Sequence, residues 1–476
     1  MREIKLPIFK SDNDMLNSAF RIAFSDLISN VYPYKAGLLK DEEDVILAGT
    51  DYPTPWTRDA SINTWNCAGL LMSDVAKHTL LSVLKTVNGK VMTDGEYWDA
   101  IIWATGAWWE YLYTDDKEFL NLALGAVVNS LEFFEKTEFD EKKNLFRGAA
   151  CYGDGIAAYP DDYIGSGSGI MDFVEAHPER LEKTGVGIPM YVLSTNCLYY
   201  NAYKIVGKMK QALGICGDNC YELKASRLKD AINMHFWMED KGCYRYIIDD
   251  IGNCNAQEGI GLSFAVLFGI ADKRQIDEIF KNVKITPQGI PCVWPSFARY
   301  DLPDGTGFGR HSGTIWPHIE AFFADVACRN GEIDIFENEL KLMAARAVRD
   351  GNFAEIYHPY SGHIYGGRQE RREGEISEWK AVLKQTWSAT GFLRLIIMDL
   401  FGMDFTAEGL YFNPTPVLEM TEFSIYNIEY RHTILNIFVK GAGRSVDKVI
   451  INGEEHSGVF MPDKKVKEYN ILILMQ

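Results

Sequence analysis

The sequence predicts a mainly α-helical chain, helical hairpins closed into a toroid, with a small all-β module after it. Three observations carry this. Apolar residues recur at helical spacing through most of residues 13–402. Long loops rich in Gly, Pro and aromatic residues interrupt them, and after about residue 405 the period shifts to that of strands. A dozen helices without a 34-residue repeat signature favour the toroid over a solenoid, because solenoids seldom carry loops so long and irregular.

Helices are expected at about 13–31, 59–71, 74–87, 193–209, 222–237, 256–269, 274–282, 315–329, 333–348 and 384–401. Two further apolar faces mark a helical pair. Trp98, Ile101, Ile102, Thr105, Trp108, Trp109 and Leu112 form one, and Phe119, Leu120, Leu124, Val127, Leu131 and Phe134 the other. Residues 384–401 are apolar almost all round, through Trp387, Phe392, Leu393, Leu395, Ile396 and Ile397, as a buried helix is. The loops at 43–57, 145–190, 285–312 and 352–382 are long for connections inside a compact domain. Their aromatic content argues against disorder. Beyond residue 405, segments 422–430 and 433–439 alternate, Val449-Ile450-Ile451 runs into an Asn452-Gly453 hairpin turn, and 470–474 closes the chain. The expected division is a helical domain over 1–404 and a β-sandwich-like module over 405–476, too short of core to stand alone and therefore packed on the helices.

A net charge of −18 argues against nucleic-acid and anionic-membrane partners, whereas a neutral oligosaccharide fits it without strain. The opening Met-Arg-Glu-Ile-Lys-Leu-Pro has no apolar core of a secretory signal, and no run of about 18 apolar residues offers a membrane span. Nine scattered cysteines form no disulfide framework and suit a reducing cytoplasm. Cys216 and Cys220 are neighbours without a second pair, so no zinc site is expected, nor any other metal or organic cofactor. Nothing in the pattern sets an oligomeric state.

Trp and Tyr are abundant, at 11 and 24, and most of them fill core. Those in loops beside acids suit a sugar site, because rings stack on sugar C–H faces. Trp56-Thr57-Arg58-Asp59 enters a helix after a Pro-Thr-Pro loop. There Arg58 can fork to adjacent hydroxyls and Asp59 can accept from others, the plainer alternative being a surface ion pair at a helix start. Asp154 lies in Tyr152-Gly153-Asp154-Gly155, where small neighbours admit a ligand. Tyr152 and Tyr159 are placed to screen it from water, which would raise its pKa and keep a proton for a leaving oxygen. An Asp-Gly turn is the alternative, and Asp161, Asp162 and Asp172 are rival acids.

Glu355, in Ala354-Glu355-Ile356-Tyr357-His358-Pro359-Tyr360-Ser361-Gly362, is the candidate base, with Glu258 of Gln257-Glu258-Gly259 as fallback. Thr314-Ile315-Trp316-Pro317 and Gln385-Thr386-Trp387 each put a Trp at a helix start, as pocket walls would.

Taken in order, Trp-Thr-Arg-Asp, the Gly-flanked Asp154, Ser194-Thr195-Asn196, Gly-Thr-Ile-Trp-Pro, Ala-Glu-Ile-Tyr-His-Pro-Tyr-Ser-Gly and Gln-Thr-Trp-Ser-Ala resemble the six-hairpin (α/α)6-barrel glycosidases. The pattern over about residues 50–400 is most similar to glycoside hydrolase family 63 and to the glucosidase domain of glycogen debranching enzymes. Two positions depart from it. The family's acid follows Trp-Met or Gly-Met rather than Tyr152-Gly153, and the family tends to carry Glu where Thr195 stands.

The resemblance implies an inverting, exo-acting hydrolase of an α-linked, gluco-configured sugar, with Asp154 as general acid and Glu355 as general base. It further implies substrate contacts from Trp56, Arg58, Asp59, Trp98, Asp99, Tyr152, Asn196, Glu258, Trp316, Tyr357 and Trp387. Inversion needs room for a water, hence carboxyl groups about 6.5–9.5 Å apart. The rivals are an α-mannosidase or rhamnosidase, and a glycoside phosphorylase with an anion site from Arg368, Arg371 and Arg372. A sugar epimerase using His311, His318, His358 and His363, and a lectin, are further rivals.

Overall fold

The computed structural model describes residues 6–476 apart from 97, 164–166, 181–187, 189, 216, 218, 250–252, 372 and 373. Cys216 and Arg372 therefore lie outside the described residues. The chain is about 44% helical with a small sheet-rich C-terminal part.

Twelve of its helices alternate between two burial patterns. One set is amphipathic, with a single apolar stripe: α1 Asp14–Ser29, α3 Ser73–Ser82, α5 Lys117–Thr137, α7 Cys220–Phe236, α9 Lys273–Asn282 and α11 Ile333–Asp350. The other set is buried along most or all of its length: α2 Thr57–Asn63, α4 Trp103–Thr114, α6 Leu193–Ala212, α8 Gly259–Leu267, α10 Pro317–Arg329 and α12 Thr386–Arg394. A helix with an apolar stripe needs one packing partner, whereas one apolar all round must be enclosed. Among the described residues the buried helices pack in succession, α2 on α4, α4 on α6, and so on to α12, which meets α2 again. The amphipathic helices lie outside them.

Two expected helix ends are corrected. Residues 84–87 are not the end of a helix: Leu84–Val87 pairs with Lys90–Thr93 across Asn88-Gly89. Both turn residues sit at positive φ, 50° and 76°, the geometry a two-residue hairpin needs. The helix expected from 256 begins at Gly259, because Gln257–Glu258 pairs as a strand with Val293–Trp294.

Instead of the expected sandwich, the β part has a separate two-stranded pair, Met403–Phe405 with Leu410–Phe412, followed by one six-stranded sheet. Its strands are β1 Ile8–Ser11, β2 Glu422–Tyr430, β3 Thr433–Lys440, β4 Val446–Ile451, β5 Glu454–His456 and β6 Glu468–Met475, in the order β1-β2-β3-β6-β4-β5. Only β3 and β6 run parallel. The edge strand β1 comes from the N-terminus, so residue 405 does not bound the sheet. One hydrophobic core runs through helices and sheet, with Phe9 against both Phe20 and Phe401, and Phe401 against Phe423. No helix among the described residues is long and apolar enough to cross a membrane.

Candidate active site

The N-terminal ends of α2, α10 and α12, with the loops before them, build one cup. Its walls are Tyr52, Trp56, Arg58, Asp59, Tyr152, Asp154, Arg310, Trp316, Glu355, Gln385 and Trp387. About 310 Å³ of empty space lies within it, solvent at the mouth included. Each wall has a local cause. Trp56 is the extended residue before α2, which puts Arg58 and Asp59 in the first turn. Trp316 holds the same place before α10, where Pro317 opens the helix. Its indole donates to the Arg310 carbonyl over 2.8 Å. Gln385 precedes α12, and Trp387 meets Trp316 edge to face at 5.8 Å.

Asp154 and Glu355 face this cup from different loops. Glu355 is buried, its side chain 2% exposed. Arg310 Nη2 donates to both its oxygens over 3.0 and 3.1 Å, and the Val382 amide donates over 3.2 Å. Its loop is pinned to the entrance of α10 by two backbone bonds between Ile315 and Tyr357. Asp154 is the open one, its side chain 50% exposed, with Arg58 Nη2 and His311 Nε2 each 3.5 Å away.

That geometry reverses the expected pKa of Asp154. Burial acts to raise it, but the Arg58 and His311 contacts outweigh burial and hold the carboxyl below the usual range. Nor is it screened from water by tyrosines, since the Tyr159 hydroxyl is bonded to Gly153 O and the Ala150 amide. The raised group is Asp59: burial pushes it up to about 7, with Arg58 opposing and the charges of Asp154 and Glu355 adding. Its Oδ1 is buried without a hydrogen-bond partner, an acceptor or donor waiting for a polar group in the cup.

Arg58 does not offer its fork to the cup as expected. Its Nη1 lies 2.9 Å from Glu96 and 2.6 Å from Asp99, leaving Nη2 toward Asp154, and its guanidinium lies over Trp56 at 5.8 Å. Asp99 is thus an anchor for Arg58 behind the wall. Burial pushes it up to about 8 although Arg58 pulls the other way.

Four other expected contacts lie outside the lining. Trp98 is 1% exposed, packed under Gly148. The Asn196 amide is satisfied by Phe146 N, Phe146 O and Val192 O and ties the Asp154 loop to α6. Glu258 is fully buried before α8, accepting from the Ser194 amide over 3.0 Å, and burial pushes it up to about 8. The Tyr357 hydroxyl accepts from the Ala354 amide while its ring packs under Arg346. The rival acids are also placed elsewhere: Asp161 pairs with Arg299, Asp172 accepts from the Gly169 amide, and Asp162 is absent from the lining.

Sequence reasoning missed Tyr52 and Arg310 in the cup, named Gln385 only as the residue two before Trp387, and considered His311 only for an epimerase. Burial and the charges of Glu355 and Asp59 push the Tyr52 phenol up, so it stays neutral and able to donate. Nothing marked Arg310 except its place just before the Gly-Thr-Ile-Trp-Pro run. Among the described residues no group of three His, Cys, Asp or Glu side chains could hold a metal ion.

Against known proteins, residues 100–370 match the model of the mannosylglycerate hydrolase MGH1-like glycoside hydrolase domain. The chain belongs to this family. Three solved structures resemble it. A chain titled sialidase superposes at TM-score 0.68 and 14% identity, over 94% of this chain and 40% of that one. The GH78 rhamnosidase of Bacillus sp. GL1 gives 0.61 and 12%, over 99% and 44%. The GH63 mannosylglycerate hydrolase from Thermus thermophilus, in complex with Tris, gives 0.58 and 13%, over 79% of this chain and all of that one. The chain therefore spans less than half the length of the first two. No curated protein sequence matches it. Membership of this family accords with the six-hairpin glycosidase resemblance, nearest to family 63, carried by the motif order.

Proposed function

We propose that the protein is an inverting, exo-acting glycoside hydrolase of an α-linked sugar, built on an (α/α)6 toroid. The ring of six buried helices, each backed by an amphipathic one, supports the toroid. The observation that carries the chemistry is the shared cup: two carboxylates distant in sequence, one half-exposed and one buried, face the same small space. Asp154 protonates the glycosidic oxygen, and Glu355 takes the proton of a water that attacks the anomeric carbon from the opposite face. Asp59 with its unpartnered oxygen, Tyr52 and Gln385 bind hydroxyls of the terminal sugar, and Trp56, Trp316 and Trp387 cover its C–H faces. The small cup, closed by helix starts and loops, supports action on a terminal unit, which is the exo reading.

The motif order supports a gluco-configured sugar. The family match favours a second, manno-configured reading, which differs in the orientation of one hydroxyl at C2. Two of the three arginines of the phosphorylase reading are engaged elsewhere. Arg368 donates to the Tyr300 carbonyl, Arg371 to the Ser377 hydroxyl, and neither lines the cup. Of the four histidines considered for an epimerase, only His311 touches a carboxylate of the cup.

The test is a panel of aryl α-glycosides, including glucosides, mannosides and rhamnosides, with NMR of the first anomer released. The β-anomer from an α-glycoside is expected, along with loss of at least a hundredfold in turnover for Asp154→Asn and Glu355→Gln. Near-normal hydrolysis by either variant removes that residue's role, and release of the α-anomer removes inversion.

A further inference from the structure

Arg310 and His311 are consecutive, yet their side chains serve different carboxylates of the cup. Arg310 binds both oxygens of Glu355, and His311 Nε2 lies 3.5 Å from Asp154 Oδ1. We propose that this dipeptide is a rigid bridge that sets the position of one carboxylate relative to the other, with His311 the positioning residue for Asp154 and Arg310 that for Glu355. The inference rests on the reading of those carboxylates as acid and base, and adds the element that keeps them in register.

The backbone of the bridge is immobilised on both sides. Arg310 N donates to Arg368 O over 2.9 Å, and Arg310 O accepts from Trp316 Nε1 and Thr314 Oγ1, each over 2.8 Å. Consecutive Cα atoms are about 3.8 Å apart, so a pinned dipeptide transmits little play between its two side chains. Each side chain is also held by a ring. The Arg310 guanidinium lies over Trp379 at 5.4 Å, and the His311 ring stacks on Trp316 at 4.8 Å.

Gly155, next to the acid, is the second observation. Its φ of −80° is open to any residue, so no backbone need explains a glycine. A Cβ there would lie 2.5 Å from His311 Cε1 and 2.2 Å from Gln369 Oε1. The missing side chain makes the room that His311 occupies behind Asp154. His311 Nδ1 and Gln369 Oε1 are both buried without partners and flank the same point.

Asp154 is faced by Arg58 from α2, by His311 and Arg310 from the bridge, and by Asp59, Glu96 and Asp99. His311 is faced by Asp154, Arg310, Glu355 and His318. Burial lowers the His311 pKa, so near neutrality it is an uncharged donor.

Three variants test this with methyl α-glucopyranoside and α-mannopyranoside, whose alkoxide leaving groups need the proton of a general acid. His311→Leu should lower kcat about tenfold to a hundredfold, a fraction of what a general acid contributes, with KM within about threefold. It should also move the pH profile of kcat/KM to higher pH, because ionised Asp154 loses a donor. His311→Gln keeps an N–H near the Nε2 position and should restore both. Gly155→Ala should reproduce the kinetics of the leucine variant by displacing the ring, with a fall in stability from overpacking, read as a lower urea midpoint. Independently of any substrate, the His311 ring, followed by 1H–15N NMR, should titrate at lower pH in Asp154→Asn than in the wild type. An unmoved pH profile in His311→Leu, an equal loss in His311→Gln, or a titration indifferent to Asp154 each overturns the bridge. Undiminished hydrolysis by Asp154→Asn overturns instead the proposed function, and the titration still decides whether His311 and Asp154 are coupled.

Discussion

Replacing Arg310 by Met should destabilise the fold by about 3 kcal/mol, and replacing Glu355 by Gln in the same chain should recover most of that loss. Glu355 is 2% exposed, and two of its three contacts come from one nitrogen of Arg310, the third being the Val382 amide at 3.2 Å. Removing the guanidinium leaves a buried carboxylate with a single donor. Breaking one side of a buried ion pair costs about 3–5 kcal/mol, against about 0.2–1 kcal/mol for an exposed pair. The lower end applies because the Arg310 side chain is 14% exposed and cup water can reach the carboxylate. Methionine keeps the apolar stem over Trp379, so lost packing contributes little. The assay is a double-mutant cycle by urea unfolding on Arg310→Met, Glu355→Gln and the double variant, with a coupling energy of about 2 kcal/mol expected. Additivity within about 0.5 kcal/mol would show that the two groups do not hold each other, and the assignment of Arg310 to the base would fall.

Trp56→Ala should raise KM about tenfold while changing stability by less than about 0.5 kcal/mol, because the ring is 38% exposed at the rim; an unchanged KM removes it from the sugar site. Glu258→Gln should leave turnover intact and flatten the pH dependence of stability. The folded protein keeps a proton on Glu258 up to about pH 8, whereas the unfolded chain releases it near 4.5. Wild-type stability therefore falls as pH rises through that window, by up to a few kcal/mol at about 1.4 kcal/mol per unit, and parallel unfolding curves from pH 5 to 8 in wild type and variant would refute this. The pH profile of kcat should lie at higher pH than that of kcat/KM, since a bound sugar strips water from half-exposed Asp154, and coincident profiles would show that its surroundings do not change on binding.

The helices were legible because burial leaves a periodic trace. The alternation of buried-all-round and striped helices is visible in 384–401 against 119–134. The N-terminal strand of the sheet was not, since Ile8–Ser11 is too short to alternate and gains its meaning from β2. In the site, Trp56, Arg58, Asp59, Trp316 and Trp387 could be read because helix starts are marked in sequence and the buried helices present those starts to one cup. Arg310 and His311 could not, because their partners come from loops more than forty residues away, at 355 and 154. Asn196 and Glu258 also stand at the starts of buried helices, but Asn196 holds a neighbouring loop and Glu258 the first turn of α6, and no local pattern separates a polar group that binds a backbone from one that binds a sugar. The pKa of Asp154 was misjudged for a related reason. Its neighbours in sequence are small and aromatic, while the two groups that govern it, Arg58 and His311, are brought in by the fold.

How Asp154 would come to carry a proton in the proposed mechanism follows from where charge is already placed. The Arg58 guanidinium lies among Asp59, Glu96, Asp99 and Asp154, and not all of these can ionise together at low cost. In the open cup the buried members, Asp59 and Asp99, are pushed up to about 7 and about 8, while solvent-facing Asp154 is held ionised. In the proposed mechanism, a sugar that fills the cup works against that difference. It removes water chiefly from Asp154, since Glu355, at 2% exposed, has almost none to lose. The same sugar offers hydroxyls to the unpartnered oxygen of Asp59, and donated hydrogen bonds favour its ionised form. Both effects drive the proton toward Asp154 once substrate is present, with the Arg58 charge balanced throughout. A separation of an exposed acid from a buried, arginine-held base thus makes the acid responsive to binding while the base stays ready.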